Sequence, residues 1–198
     1  MEPKFINFFK YLEDKGEQKI PLNIKLLDPK QFELTPEDLN IKGDINLSFD
    51  SITSLPDGLK VGGTLILNNT KITSLPNDLK VGRDLDLNDT KITSLPKGLK
   101  VGGNLSLYNT KITSLPEDLK VEGDLDLSGT SITSLPNNLK VGGSLYLIGT
   151  PITSLPNGLE VGGYINLFNT PLSSKTEAEI RQMAPNVKGK IIGLKKSL

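Results

Sequence analysis

The chain contains no cysteine and no histidine among its 198 residues. Without cysteine it has no thiol chemistry and no disulfide bonds, and without either residue it lacks the usual ligands of zinc. The lack of histidine also excludes every catalytic triad that relies on an imidazole base. The lack of cysteine fits a reducing compartment without requiring one, since secreted proteins without disulfides exist.

The chain also lacks an excess of charge and a long apolar segment. Its 23 Lys and Arg residues equal its 23 Asp and Glu residues, so no net field attracts nucleic acid or an acidic membrane. The first residues lack the basic start and unbroken apolar run of a signal peptide. No stretch approaches the ~20 apolar residues of a membrane span. We therefore expect a cytoplasmic protein with no cofactor and with no nucleic-acid or membrane partner.

What the chain does contain is one block of twenty residues, written out repeatedly. Within it the pentapeptide Ile-Thr-Ser-Leu-Pro recurs unchanged six times, from 52–56 to 152–156. A fixed period in this range predicts a solenoid, in which each coil buries its apolar face against its neighbours. The seven copies begin at Ile41, Val61, Val81, Val101, Val121, Val141 and Val161, and the last copy decays after Leu172.

One coil divides into a strand and a return segment. Residues alternate from Gly63 to Asn68, which predicts a short strand with Leu65 and Leu67 pointing inward. Stacked strands would pair into one parallel sheet on one face, with neighbouring strands ~4.8 Å apart. The return segment, 70–80, is too short for a long helix, so we expect extended or 3₁₀ structure there.

Three further columns recur along the repeat. The second residue after each Leu-Pro proline is Gly, Asp or Asn, which predicts a turn with left-handed or bridge backbone at that residue. A threonine column from Thr70 to Thr170 is interpreted as a ladder that hydrogen bonds to its own and to the next coil. A lysine column runs from Lys60 to Lys140 and ends at Glu160. Repeated lysines can follow phosphates, but we interpret this column as a solvated edge that discourages edge-to-edge aggregation.

The repeat resembles the short, twenty-residue leucine-rich repeats of bacteria and phages. The resemblance covers about residues 41–172, and its Leu-Pro ending is similar to the repeats of YopM-like and IpaH-like effectors. It implies a leucine-rich repeat solenoid of phage or bacterial origin, with a host protein as one candidate partner. Gly62 stands where that pattern has a leucine, and the chain has no room for the ubiquitin-ligase domain of IpaH-like proteins, so that activity is not implied. The matching pattern is Leu65-x-Leu67-x-x-Thr70-x-Ile72-x-x-Leu75-Pro76, with Thr where Asn is usual.

A cap is predicted at each end of the repeats, because a solenoid needs polar caps over its terminal cores. Residues 1–40 predict an N-terminal cap, made of a helix with apolar residues at helical spacing and then a strand with alternating apolar residues. We expect the seven repeats, 41–172, to lie between complete caps. The alternative, that the aromatic N-terminal helix docks on a membrane or a partner, stays open.

The C-terminal cap is predicted over residues 173–198. Ser174 and Glu177 form a capping-box pattern. This pattern predicts a short helix that runs through Met183 and is terminated by Pro185. Residues 187–194 are predicted to add a closing strand.

The residues that change from coil to coil lie on three outward columns, at positions equivalent to 64, 66 and 68. Exposed aromatic residues beside charges are typical of protein-binding surfaces, because they give a large contact area at a low cost in entropy. The alternative is that exposed apolar residues are merely scattered, which is normal on protein surfaces. The middle coils carry Asp84, Asp86, Asp124 and Asp126, and the C-terminal coils carry Tyr108, Tyr146, Ile148, Tyr164 and Phe168.

The spacing of the four aspartates does not favour a catalytic or metal site. Aspartates in one column are separated by an uncharged residue, which places them ~10 Å apart in a parallel stack. That distance is too wide for a shared calcium ion or a carboxylate dyad. We therefore predict a non-enzymatic module that binds another protein through the outward sheet face, as a monomer or with weak self-association. The alternative is a structural component, for example of a virion, that acts through self-association.

Overall fold

The computed structural model describes Lys25, Leu34, Pro36 and residues 38–195. The predicted N-terminal cap therefore lies almost wholly outside the described residues. Lys25, predicted to lie in the strand of that cap, is helical and pairs with Asp38 at 3.2 Å. The apolar residues around Lys25 are spaced by four as well as by two, so their spacing suits a helix as well as a strand.

From residue 40 onward the chain is a solenoid of parallel β-strands that advances by one coil every twenty residues. Each coil contributes two strands of two residues, and these stack into two parallel sheets. The seven-stranded sheet contains β1 (Asn40–Ile41), β3 (Lys60–Val61), β5 (Lys80–Val81), β7 (Lys100–Val101), β9 (Lys120–Val121), β11 (Lys140–Val141) and β13 (Glu160–Val161). The eight-stranded sheet contains β2 (Ile45–Asn46), β4 (Leu65–Ile66), β6 (Leu85–Asp86), β8 (Leu105–Ser106), β10 (Leu125–Asp126), β12 (Leu145–Tyr146), β14 (Ile165–Asn166) and β15 (Ile191–Ile192).

The eight-stranded sheet was predicted from the sequence, whereas the seven-stranded sheet was not. A strand of two residues is too short to show an alternating pattern, and Val61 with Lys60 before it reads as part of a corner. In the second sheet equivalent residues lie in register, Lys60 opposite Lys80 and Val61 opposite Val81. The lysine column therefore runs across the face of a sheet, and its interpretation as a protected sheet edge is wrong.

The core consists of the inward leucine, isoleucine and valine columns of every coil. Leu65 and Leu67 are fully buried, and their equivalents in the later coils are buried as well. The threonine column closes one side of this core, since each threonine hydroxyl from Thr70 to Thr170 donates to the carbonyl three residues earlier, at 2.7–2.9 Å. These bonds stay within one coil, so the threonine hydroxyls hold the turn and do not form the predicted hydrogen bonds to the next coil.

Each strand of the eight-stranded sheet ends in a turn with a left-handed residue. The amide of Thr70 donates to the Leu67 carbonyl at 3.2 Å, and the residue before the threonine has a positive φ angle. The predicted position, two residues after the proline, is left-handed only at Gly58 and Gly98. The observed left-handed residues before the threonine position are Phe49, Asn69, Asp89, Asn109, Gly129, Gly149 and Asn169.

The last coil leads into the C-terminal elements. A 3₁₀ helix spans Pro171–Ser174 and helix α1 spans Glu177–Met183, so α1 ends where it was predicted to end. The capping box uses Thr176 and Glu179 and not Ser174 and Glu177. Ser174 is part of the 3₁₀ helix, where its hydroxyl donates to the Pro171 carbonyl at 3.0 Å. Strand β15 then closes the eight-stranded sheet within the predicted 187–194 segment, by pairing with β14.

Candidate protein-binding surface

The outward side of the eight-stranded sheet, here called the outer face, carries all nine side chains that the sequence analysis selected. It consists of the positions equivalent to 64, 66 and 68 in each coil. Register pairs Asp126 with Ser106 on one side and with Tyr146 on the other, and Tyr146 with Asn166. The candidate aspartates and aromatics therefore lie on one continuous surface, with the aspartates toward the middle coils and most of the aromatics toward the C-terminal end.

The first column of the outer face is a ladder of hydrogen bonds between coils. The Asp84 carboxylate accepts the backbone N–H of Asn104 at 2.7 Å, the Asn104 side chain accepts that of Asp124 at 2.7 Å, and Asp124 accepts that of Ser144 at 2.6 Å. Asp, Asn and Ser share a side-chain oxygen close to the backbone, and that oxygen is what the ladder requires. Asp84 and Asp124 thus stabilise the stack, whether or not they contact a partner.

The second column also binds backbone groups, but within its own coil. Asp86 accepts the N–H of Asn88 at 3.0 Å, and Asp126 accepts that of Ser128 at 2.8 Å. Such bonds from an aspartate to the residue two positions later end a strand and begin a turn. Among the described residues, no group of three or more His, Cys, Asp or Glu could hold a metal ion. The four candidate aspartates are therefore held in place by the backbone, at fixed positions on a partly exposed surface.

Two of the aromatic candidates are packed against each other. The rings of Tyr146 and Tyr164 meet edge to face, with centroids 5.4 Å apart and an interplanar angle of 80°. Their hydroxyl oxygens are hydrogen bonded at 2.5 Å. The bond with Tyr164, partial burial and the negative potential of Tyr164, Asp124 and Asp126 raise the pKa of Tyr146 from 10.0 to about 12. The pair is a rigid unit, because each ring restricts the rotamers of the other.

The remaining apolar candidates flank this pair on the third column. Phe168 is 63% exposed and Tyr108 is 48% exposed, while Ile148 is partly buried. Ile148 and Phe168 belong to adjacent coils. The backbone N–H of Gly149 donates a hydrogen bond of 3.0 Å to the Phe168 carbonyl and joins these coils. Tyr108 is separated from Ile148 by the small, buried Ser128. The structure therefore brings together Tyr146, Tyr164, Ile148 and Phe168, and leaves Tyr108 apart.

One exposed aromatic residue was missed by the sequence analysis. Phe49 is 75% exposed and has a left-handed backbone with φ of 61°. That conformation is disfavoured for a bulky residue. The signal was present in the sequence, because the position before the threonine column holds Asn, Asp or Gly in every other coil. Phe49 lies in the turn that follows strand β2, at the N-terminal end of the eight-stranded sheet and far from the C-terminal aromatics.

Comparisons with known proteins do not identify a family for this chain. No protein-family model matches this chain, and no curated protein matches its sequence. Across the described residues, the structure has no helix with the length and apolar character needed to cross a membrane. The parallel-strand solenoid with its twenty-residue spacing is therefore established by the structure itself.

Proposed function

We propose that this protein is a non-enzymatic binding module that engages another protein through the C-terminal part of its outer face. The observation that carries the proposal is a cluster of three aromatic residues and one isoleucine on adjacent coils. Its members are Tyr146, Tyr164, Phe168 and Ile148. Large aromatic side chains that are partly exposed and fixed in place are the residues that dominate binding energy at protein interfaces.

The rigidity of the cluster supports this function. Its strands are joined to their neighbours by backbone bonds of 2.9–3.0 Å, such as those from Leu145 to Tyr164 and from Leu147 to Asn166. The Tyr146 and Tyr164 rings restrict each other further. Binding therefore costs little side-chain entropy on this surface, because its side chains are already held in place before a partner arrives.

The charges beside the cluster indicate which kind of partner surface suits it. Asp124 and Asp126 are close enough to Tyr146 to raise its pKa through their negative potential. A partner with an apolar centre and Lys or Arg residues at one rim would match this arrangement. The complementary charges would mainly orient the partner and speed its association, while the aromatic contacts would supply most of the affinity.

The leucine-rich repeat relationship, the phage or bacterial origin and the host-protein partner are part of the same proposal. Their support is the repeat pattern from Leu65 to Pro76, which recurs in register with the observed strands and turns. The cytoplasmic location also stays a prediction, which fractionation of expressing cells would test.

The outer face is tested by immobilising the full chain and capturing partners from a host lysate. The double variant Tyr146→Ala, Phe168→Ala should weaken capture of the specific partner by about tenfold or more, as expected for hot-spot residues. Phe49→Ala is the matched control, because Phe49 is also an exposed phenylalanine in a turn after a strand of the same sheet, but at the other end of that sheet. Equal capture by the double variant and the unaltered chain would refute the proposal, provided that circular dichroism shows both folded.

A second candidate function, assembly through self-association, is favoured by the open edge of the eight-stranded sheet. Strand β15 pairs with β14 on one side, and within residues 38–195 no strand pairs with its other side. Ile192 on this strand is 38% exposed. Exposed edge strands are templates for pairing with another chain. Light scattering distinguishes the two functions, since assembly requires a mass that rises with concentration and falls when Ile192 is replaced by lysine.

A further inference from the structure

The seven-stranded sheet carries a second surface that the outer face does not use. Five of its seven outward residues are lysines, which lie opposite each other in register on successive coils between Asn40 and Glu160. All five side chains are exposed. Parallel strands are ~4.8 Å apart, so each ammonium group is anchored one strand spacing from the next. The lysine ladder consists of Lys60, Lys80, Lys100, Lys120 and Lys140.

The ladder is neutralised at one end only. Lys140 pairs with Glu160 at 2.8 Å. Within residues 38–195, Lys60, Lys80, Lys100 and Lys120 have no ion pair or side-chain hydrogen bond. Like charges placed directly opposite each other on neighbouring strands repel and destabilise a sheet. The fold therefore maintains a row of positive charge that no described acidic side chain pairs with, apart from Glu160 at its end.

Three shallow depressions follow one another beside the ladder, each sharing lining residues with the next, and are here called the groove. The charge of the lining changes from one stretch to the next. The N-terminal stretch is lined by ten described residues, including Lys42, Lys60, Lys80 and Lys100 and no carboxylate. The middle stretch shares Lys100 with the first but adds two acids, and the C-terminal stretch shares Lys120 with the middle and also has two acids. The acids of the last two stretches are Asp118, Glu122 and Glu160.

The floor of the N-terminal stretch is bare backbone. Gly62 and Gly82 line it, and both are exposed. A Cβ atom on Gly82 would come within 2.2 Å of the Gly62 carbonyl oxygen, so a side chain here would require a local shift of the backbone. Lys42 and Glu122 occupy the equivalent position in two other coils. Gly62 and Gly82, which lie beside the lysine ladder, leave a shallow channel in which another main chain can approach closely.

We propose that the N-terminal stretch of this groove binds an acidic polypeptide segment. Its lysines provide hydrated point charges that can pair with carboxylates at several spacings. Its described lining has no aromatic side chain on which bases could stack and no arginine to grip phosphates, which are the features expected of a single-stranded nucleic-acid groove. The proposal is independent of the outer face, because the two surfaces share no residue.

The probe for this site is a fluorescein-labelled oligoglutamate peptide, titrated with the full chain at low salt. The triple variant Lys60→Gln, Lys80→Gln, Lys100→Gln should bind about tenfold more weakly, because each exposed ion pair contributes little and three are removed together. The matched control is Lys71→Gln, Lys91→Gln, Lys111→Gln. It removes the same charge from a second exposed lysine column of the same pitch, which lies outside the groove.

Three outcomes would overturn the proposal. The oligoglutamate could fail to bind the unaltered chain at low salt. The two triple variants could lose equal affinity, which would show a response to net charge and not to the groove. An oligothymidylate of equal charge could bind more tightly than the oligoglutamate, which would make the groove a nucleic-acid site. Selective loss in the groove variant, with binding that weakens as salt rises, is the result we expect.

Discussion

The two sheets of this solenoid differ in what varies and in what holds the stack together. The first column of the outer face changes from coil to coil, yet its side chains Asp84, Asn104 and Asp124 bind the backbone of the next coil. The lysine ladder on the other sheet hardly changes, yet four of its five members have no ion pair or side-chain hydrogen bond among the described residues. Repetition in a repeat protein is therefore not a reliable sign of a structural role, and variation is not a reliable sign of a functional one.

The largest expected effect is a difference in stability between variants of two adjacent residues that follow strand β8 of the eight-stranded sheet. Leu107 is fully buried, whereas Tyr108 is 48% exposed. Leu107→Ala should lower the free energy of unfolding by about 2–5 kcal/mol, because it leaves a cavity between coils. Tyr108→Ala should change it by less than about 0.5 kcal/mol. Urea unfolding monitored by circular dichroism measures both, and a large loss in the Tyr108 variant would show that the outer face supports the core.

A smaller effect tests whether the variable aspartates are structural. Asp124→Ala removes the acceptor of the Ser144 N–H, a bond of 2.6 Å that is partly buried. We expect a loss of about 1 kcal/mol in the free energy of unfolding. Asp124→Asn is the control, because Asn104 already performs the same role one coil earlier. If the alanine variant were as stable as the asparagine variant, the Asp124 hydrogen bond would not contribute to the free energy of unfolding. Asp124 would then have no structural role in the ladder.

The sequence predicted the parts of the fold that depend on the period. The inward leucines, the parallel eight-stranded sheet and the end of helix α1 at Met183 all follow from residues that recur in register or from a proline that stops a helix. The second sheet could not be predicted from its two-residue strands. The capping box was misplaced because Ser174-x-x-Glu177 and Thr176-x-x-Glu179 overlap in sequence. Ser174 belongs to the 3₁₀ helix and its hydroxyl bonds there, which leaves Thr176 to cap α1.

The candidate site was predictable to a similar extent. Alternation within the strand showed which residues point outward, and Phe168 and Tyr108 are indeed exposed. The contact between Tyr146 and Tyr164 depends on how the two side chains lean, which no spacing in the sequence reveals. In the sequence, the alternation of Asp with Asn and Ser indicated only that the carboxylates lie too far apart for a metal or catalytic site. The structure shows that these residue types share an oxygen acceptor, a property that a reading by charge overlooks.

The smallest effect, and the one with an unusual sign, concerns the lysine ladder itself. Lys80 lies between two unneutralised lysines, so Lys80→Gln should raise the free energy of unfolding by a few tenths of a kcal/mol, since it relieves repulsion across the sheet. Lys140→Gln should instead lower it or leave it unchanged, because Lys140 loses its pair with Glu160, and exposed pairs contribute about 0.2–1 kcal/mol. Both differences should shrink at high salt, which screens exposed charges. A destabilised Lys80 variant would show that the ladder supports the stack, and the contrast between the two sheets would then fail.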